Sequence, residues 1–218
     1  MKFLKYFLVV GLAGGAASLP TGACAATLAN YGFTSNNLNV STTSPNVTAS
    51  PFSGTGTARS TNQYAFQYAK VASSGYMQFS LTAAPGYALD LSTISFSYDF
   101  LQSAGSETPV NATFSLVYSL DSFATSIPIQ SYENSSGAVV SSGAASFENT
   151  GAIDLTGIPT TSAVSFRFVL GNEANLDTEG YRYAIDSVVI SGDVIPEPSA
   201  PSLGMLAAGA ALFRRRRR

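Results

Sequence analysis

Three observations predict an all-β protein, an antiparallel β-sandwich with jelly-roll-like connectivity, preceded by a signal helix and followed by a short apolar helix. Apolar and polar residues alternate with a period of two through most of the chain, which sends one row of side chains to a core and the other to solvent. No stripe of helical period competes with this alternation between residues 26 and 195. Clusters of Gly, Pro, Asn and Ser, such as Pro85-Gly86 and Ser135-Ser136-Gly137, separate the alternating runs as turns separate strands. The expected division is a signal peptide over 1–25, a sandwich over 26–193 and a tail over 194–218.

The N-terminus sets the cellular address. Lys2 and Lys5 precede an apolar stretch from Tyr6 to Ala17, and Ala23-Cys24-Ala25 supplies the small residues that a signal peptidase requires, which puts the first mature residue at Ala26. The apolar stretch is too short for a comfortable membrane span of about 20 residues, and Gly14, Gly15 and Pro20 weaken it as a helix. Cys24 raises a lipoprotein alternative, against which Thr21 argues, because lipoprotein signals usually carry Leu at that place. Cleavage after Ala25 removes the one cysteine, so neither a disulfide nor a thiol nucleophile remains.

Four strands are written plainly in the body. Thr93 to Phe100 sets Ile94, Phe96, Tyr98 and Phe100 against Thr93, Ser95, Ser97 and Asp99. Ala112 to Ser119 turns Phe114, Leu116 and Tyr118 inward, and Ala163 to Leu170 does so with Val164, Phe166, Phe168 and Leu170. Met77, Phe79 and Leu81 form a further inner row. Thr27 to Phe33, Tyr64 to Lys70, Gly151 to Leu155 and Tyr183 to Ser191 are fainter candidates. The Ser/Thr/Asn/Gly-rich stretch Thr34 to Thr61 has too little apolar content for a core of its own and is expected to wrap the sandwich edge as loop. A domain of about 150 residues buries about 70% of its unfolded surface, enough for an independent core.

Composition removes several function classes. The 218 residues include no histidine, which excludes a Ser-His-Asp triad, a Cys-His pair and a histidine-bound zinc. Outside the two ends the basic residues are Arg59, Lys70, Arg167 and Arg182 against twelve acidic ones, a body charge of −8 that repels phosphate and argues against nucleic acid as a partner.

The C-terminus has three parts: Pro196-Glu197-Pro198, an apolar run from Leu203 through Leu206 and Leu212 to Phe213, and the block Arg214, Arg215, Arg216, Arg217, Arg218. Prolines end regular structure and keep a spacer extended. An apolar run followed by cations stalls in the inner membrane with its end in the cytoplasm, leaving the folded body outside. Eleven helical residues rise about 16 Å against a hydrocarbon core of about 30 Å, so the hold is weak and suits a signal that is later removed.

This tripartite tail resembles the PEP-CTERM sorting signal of Gram-negative bacteria. The resemblance implies recognition by an exosortase-like membrane transpeptidase that processes the tail and passes the protein to the cell surface or exopolysaccharide. The segments Phe79-Ser80-Leu81-Thr82, Gly86 to Leu91, Tyr118 to Phe123, Val164 to Phe168 and Ile185 to Ile190 resemble the sandwich domain that PEP-CTERM proteins commonly carry, which is similar to galactose-binding jelly rolls. That likeness implies a fold more than an activity.

Candidate chemistry in the body is carboxylate chemistry. Asp186 shares a strand face with Ala184, Val188 and Ile190 if the alternation is unbroken, and a carboxylate there needs a cation or hydrogen bonds. With the opposite phase, Tyr183, Ile185 and Val189 point inward and Asp186 is solvated. The jelly-roll resemblance implies a structural calcium held by Asp186 with Asn30 as its partner near the first strand. Glu173, Asp177 and Glu179 crowd one loop between Gly171 and Arg182, where a solvated loop is favoured over a glycosidase pair, which must flank a bond across a cleft. Tyr64, Tyr68, Tyr76, Tyr98 and Tyr181 are the available sugar platforms, although tyrosine in strands serves mainly packing. The expected function is a secreted, non-enzymatic surface or matrix protein. The alternative is a calcium-dependent carbohydrate-binding module associated with exopolysaccharide.

Overall fold

Two antiparallel sheets face each other across a core in which phenylalanines supply most of the largest fully buried side chains, among leucine, isoleucine and valine. The computed structural model describes residues 25–34, 37–54, 57–58, 66–69, 75–101, 113–133, 147–170 and 182–197. In chain order its strands are β1 (Ala26–Tyr31), β2 (Thr42–Thr43), β3 (Val47–Ala49), β4 (Ser53–Gly54), β5 (Thr57–Ala58), β6 (Phe66–Ala69), β7 (Tyr76–Ala83), β8 (Tyr87–Leu101), β9 (Thr113–Ser119), β10 (Ile127–Glu133), β11 (Glu148–Asn149), β12 (Ile153–Asp154), β13 (Ala163–Leu170) and β14 (Arg182–Pro196). The described residues contain no α-helix. The expected signal helix and C-terminal apolar helix lie outside them.

The first sheet runs β11-β8-β14-β1-β2, with β12 on the β8 edge and β6, flanked by β5, on β14; the second runs β10-β9-β13-β7-β3, with β4 also on β7. The chain passes repeatedly from one sheet to the other, so each sheet of the sandwich is assembled from distant parts of the sequence. Two of these passages use the same local chemistry. Ser44-Pro45-Asn46-Val47 and Ala84-Pro85-Gly86-Tyr87 each close a turn in which proline sets the second position and the third is left-handed, φ 63° at Asn46 and 82° at Gly86. The Ala84 amide donates to the Asn46 carbonyl at 2.8 Å, tying the two turns together.

The strong sequence expectations are met: β13 spans Ala163–Leu170, and Ile94, Phe96, Phe114, Leu116, Val164, Phe166 and Phe168 are buried. Rings form a continuous path between the sheets. Phe52 meets Tyr31 at 4.9 Å and Phe79 at 4.8 Å, Phe168 meets Phe96 at 4.9 Å, and Phe114 stacks on Tyr132 at 4.7 Å. Such pairs add about 0.5–1.5 kcal/mol each beyond area burial.

Two expectations change in detail. The polar stretch after Phe33 does wrap the edges, but through β2 beside β1 and through β3 and β4 beside β7. It also delivers Phe52 into the core at 2% exposure, which its polar composition conceals. The second change is at the far end, where β14 continues past Asp193. Val194, Ile195 and Pro196 pair with Leu89, Ala88 and Tyr87.

Within β14, Ile185, Val188 and Ile190 are all fully buried, although the first two stand an odd number of positions apart, with Asp186 and Ser187 between them. A register shift between Asp186 and Val189 with left-handed Ser187 at φ 53° supplies the extra residue of a bulge. Further along, Gly192 is obligatory: a Cβ there would meet the Asp90 carbonyl oxygen, and lie 3.0 Å from Leu91 Cα and Leu28 Cδ1.

Phe52→Ala is expected to destabilise the protein by about 3–5 kcal/mol, as for other buried phenylalanines. Urea denaturation measures it. A loss within about 0.5 kcal/mol, typical of surface positions, would show that the polar stretch is not part of the core.

Candidate functional site

The tail leaves the body from the end of β14. Pro196 pairs with Tyr87, and the Glu197 amide donates to the Gly86 carbonyl at 2.9 Å, so the first two residues of Pro196-Glu197-Pro198 are held on the Pro85-Gly86 turn. Proline is tolerated as the last residue of this strand because no ladder donor follows from it. Both Pro196 and Glu197 are exposed, and so is Ile195 at 38%. The opposite end of the body begins beside it: Ala26, the first residue of β1, pairs with Gly192. Ala23, Cys24, Pro198 and the run from Leu203 to Arg218 lie outside the described residues. No helix among the described residues is long and apolar enough to cross a membrane.

The bulge at Ser187 decides where Asp186 points. Ile185 is inward before it and Val188 after it, so Asp186 lies on the outer face beside its partner Ser97. Each of the two phases considered for this strand holds on one side of the bulge. The carboxylate is partly buried and accepts a hydrogen bond from the Ser187 amide at 2.7 Å. Burial raises its pKa above the usual carboxylate range, and the Ser187 bond opposes the rise. Asn30 pairs with Val189 and is on the same outer face, because its neighbour Tyr31 is fully buried in the core. The two residues expected to hold calcium therefore share a face but occupy different rows. Among the described residues, no three Asp, Glu, His or Cys side chains group closely enough to hold a metal ion.

Of the tyrosines, Tyr98 belongs to packing. Its ring lies 5.4 Å from Phe114 and 5.0 Å from Tyr132, and its hydroxyl donates to Glu148 Oε2 at 2.8 Å. Burial first, then the Glu148 contact, push its pKa up to about 12. Burial likewise raises Tyr132, whose hydroxyl has no hydrogen-bond partner among the described residues. For Tyr68 only the place in β6 is described. Tyr64, Tyr181, Glu173, Asp177 and Glu179 lie outside the described residues.

Tyr76 does something the alternation does not reveal. Its ring lies 4.0 Å from the Arg167 guanidinium, and the Phe123 ring covers the same group at 3.6 Å. Arg167 Nε donates to Gln78 Oε1 at 2.7 Å. Phe123 reaches this position from the β9–β10 turn, where Ser122 and Phe123 are both left-handed at φ 57° and 68°. A left-handed phenylalanine costs roughly 1–2 kcal/mol and persists only when its surroundings dictate it. Here they do. Ser119 Oγ accepts from the Asp121 and Phe123 amides, and Asp121 Oδ1 accepts from Ser119 Oγ and the Thr125 amide. These bonds hold the Asp121 carboxyl below its ordinary range, the Thr125 amide contributing most. Arg167 and Tyr76 stood apart in the sequence, and only the register of β13 against β7 brings them together.

No family model matches the chain, and no curated protein sequence is similar to it.

Because Asp186 is easier to protonate when folded, the stability its neutral form contributes is present below the unfolded pKa and lost as pH rises through the raised native value. Asp186→Asn keeps an acceptor for the Ser187 amide and removes the charge. It is expected to exceed the wild type near pH 7 by a fraction of a kcal/mol, since solvent screens a partly exposed group, and to match it near pH 3. Urea midpoints at the two pH values test this; a variant weaker than the wild type near pH 7 would contradict it.

Proposed function

We propose that this chain is a secreted, non-enzymatic β-sandwich protein of the envelope or extracellular matrix of a Gram-negative bacterium. In this reading the tail tethers it briefly at the inner membrane, and an exosortase-like transpeptidase processes the tail before the body reaches the cell surface or exopolysaccharide. The observation that carries the reading is the order of Pro196-Glu197-Pro198, which begins at the last residue of β14, the apolar run Leu203 to Phe213 and Arg214 to Arg218. The start of β1 at Ala26 supports the expected signal cleavage, since a cut after Ala25 leaves every described strand whole.

The physical steps follow from the tail's composition. The apolar run partitions into the bilayer, the arginines stay on the cytoplasmic side, and the short span keeps the hold weak. The Pro-Glu-Pro element then lies between the folded body and the lipid, where a membrane-embedded enzyme can engage it. The body's part is to withstand export without a disulfide and to present its outer faces.

The second reading, a calcium-dependent carbohydrate-binding module, is favoured by the partly buried Asp186 on the outer face that it shares with Asn30. Calcium that raises the thermal midpoint of the wild type but not of Asp186→Asn would support it.

Intact mass of the protein recovered from its native host tests the sorting. A start at Ala26 and an end close to Pro196-Glu197-Pro198 are expected; released extracellular protein that keeps Arg214 to Arg218 would contradict processing. A second outcome follows from the pairing of Ile195 with Ala88. A disulfide between Ala88→Cys and Ile195→Cys fixes the strand end, and because cleavage enzymes generally need an extended, accessible substrate, the cut is expected to slow at least severalfold and to recover with reductant. Pulse labelling and immunoblotting measure it, and an unchanged rate with the disulfide formed would show that the strand end need not open.

A further inference from the structure

The exposed face of the second sheet carries an arrangement that the sorting function does not use. Arg167 stands at the middle of this face on β13, the central strand of the β10-β9-β13-β7-β3 order. Its row contains Gln78 and Val117; the row on one side contains Ser80 and Ser165, and the row on the other Tyr76, Val169, Ser115 and Ser131. Ser119, which continues the Ser80–Ser165 row onto β9, and Val117 are buried; the other residues named in these rows are half-buried or exposed. Among the described side chains Arg167 is the one cation.

An arginine in a chain so rich in acids ordinarily settles on a carboxylate. Arg167 does not: no carboxylate among the described residues lies within ion-pair distance. The Tyr76 and Phe123 rings both pack on its guanidinium, and Nε is bound to the neutral amide of Gln78. Of the five N–H donors in the guanidinium plane, the four on the two Nη atoms have no acceptor among the described residues. The stack fixes that plane in advance, so little side-chain entropy is lost when the Nη pair meets a planar two-oxygen anion. The strained turn that places Phe123 on the guanidinium is hydrogen-bonded into that shape, as expected where a conformation serves a site.

We propose that this sheet face binds a carboxylate-bearing polysaccharide, the uronate carboxylate accepting from both Nη atoms of Arg167 and the sugar hydroxyls meeting the serine rows and Gln78. The body's charge of −8 opposes long-range attraction of a polyanion, but at physiological salt that field fades within about 8 Å while the direct bidentate contact does not. A planar fork fits a carboxylate, and the hydroxyl-rich rows on either side fit a sugar chain and not a lipid or an apolar peptide. The proposal rests on the surface-protein reading only for the class of polymer; binding and sorting are measured separately and can fail separately.

Native affinity electrophoresis of the protein recovered from its host, with chelator present, tests it in gels containing polygalacturonate, neutral dextran or dextran sulfate. Retardation by polygalacturonate alone is expected. Arg167→Gln should weaken it at least tenfold, and Arg167→Lys, which keeps the charge but loses the fork, at least threefold. Ser115→Asp leaves Arg167 in place and sets a carboxylate in the adjacent row, and it should weaken binding to a similar degree if Arg167→Gln fails to fold. No retardation by polygalacturonate, equal retardation by dextran sulfate, or wild-type affinity in folded Arg167→Gln or in Ser115→Asp would each overturn the proposal.

Discussion

Strand β14 lies hydrogen-bonded between β8 on one side and β1 and β6 on the other, and most of the molecule depends on that pairing. It aligns Ile185, Val188 and Ile190 with the core, it seats Ala26 beside Gly192, and it ends inside the Pro-Glu-Pro element. A regular strand could not satisfy all of these. One residue too few would turn either Ile185 or the Val188–Ile190 pair to solvent, which would cost about 1.5–3 kcal/mol for each side chain. The bulge at Ser187 absorbs the difference, at the cost of one left-handed serine and a partly desolvated Asp186.

The rest of the body answers the absence of disulfides with aromatic packing. Tyr31, Phe52, Phe79, Phe166, Phe168, Phe96 and Phe114 bridge the two sheets as a single path, so residues far apart in sequence share one core. The Tyr31 hydroxyl donates to the Ser50 carbonyl at 2.7 Å, which binds the polar stretch to that path at its rim. The same stretch covers the edge of β7 with two very short strands, β3 and β4, a form that limits pairing with other chains. The entry at Ala26 and the exit at Glu197 lie at the same end of the sandwich. A body tethered there would stand with its sheet faces exposed laterally, Arg167 among them.

How much of this was legible depended on whether the relevant signal was local. The inner rows of β7, β8, β9 and β13 follow from strict alternation, and β13 was bounded to the residue. Strand β10 was not foreseen, because Pro128 interrupts it and most of its side chains are exposed on an edge. Phe52 lay hidden in a polar stretch, and its burial is decided by packing against Tyr31 and Phe79. Asp186 was ambiguous because a period-two pattern cannot register one inserted residue; the choice of phase needed the register against β8. Asp99 was expected on the polar face and is there, yet it is 7% exposed, which alternation cannot convey. The Arg167 stack required two pairings and a strained turn, none of which any local stretch of sequence encodes.

Amide hydrogen exchange resolved along β14 tests the central place of this strand most directly. The account predicts the slowest exchange of the whole body at Ile185 and at Ile190, in the segment flanked on both sides, with protection approaching the global unfolding free energy and falling towards Val194, Ile195 and Glu197. Exchange at Ile185 and Ile190 as fast as in the edge strand β10 would contradict it.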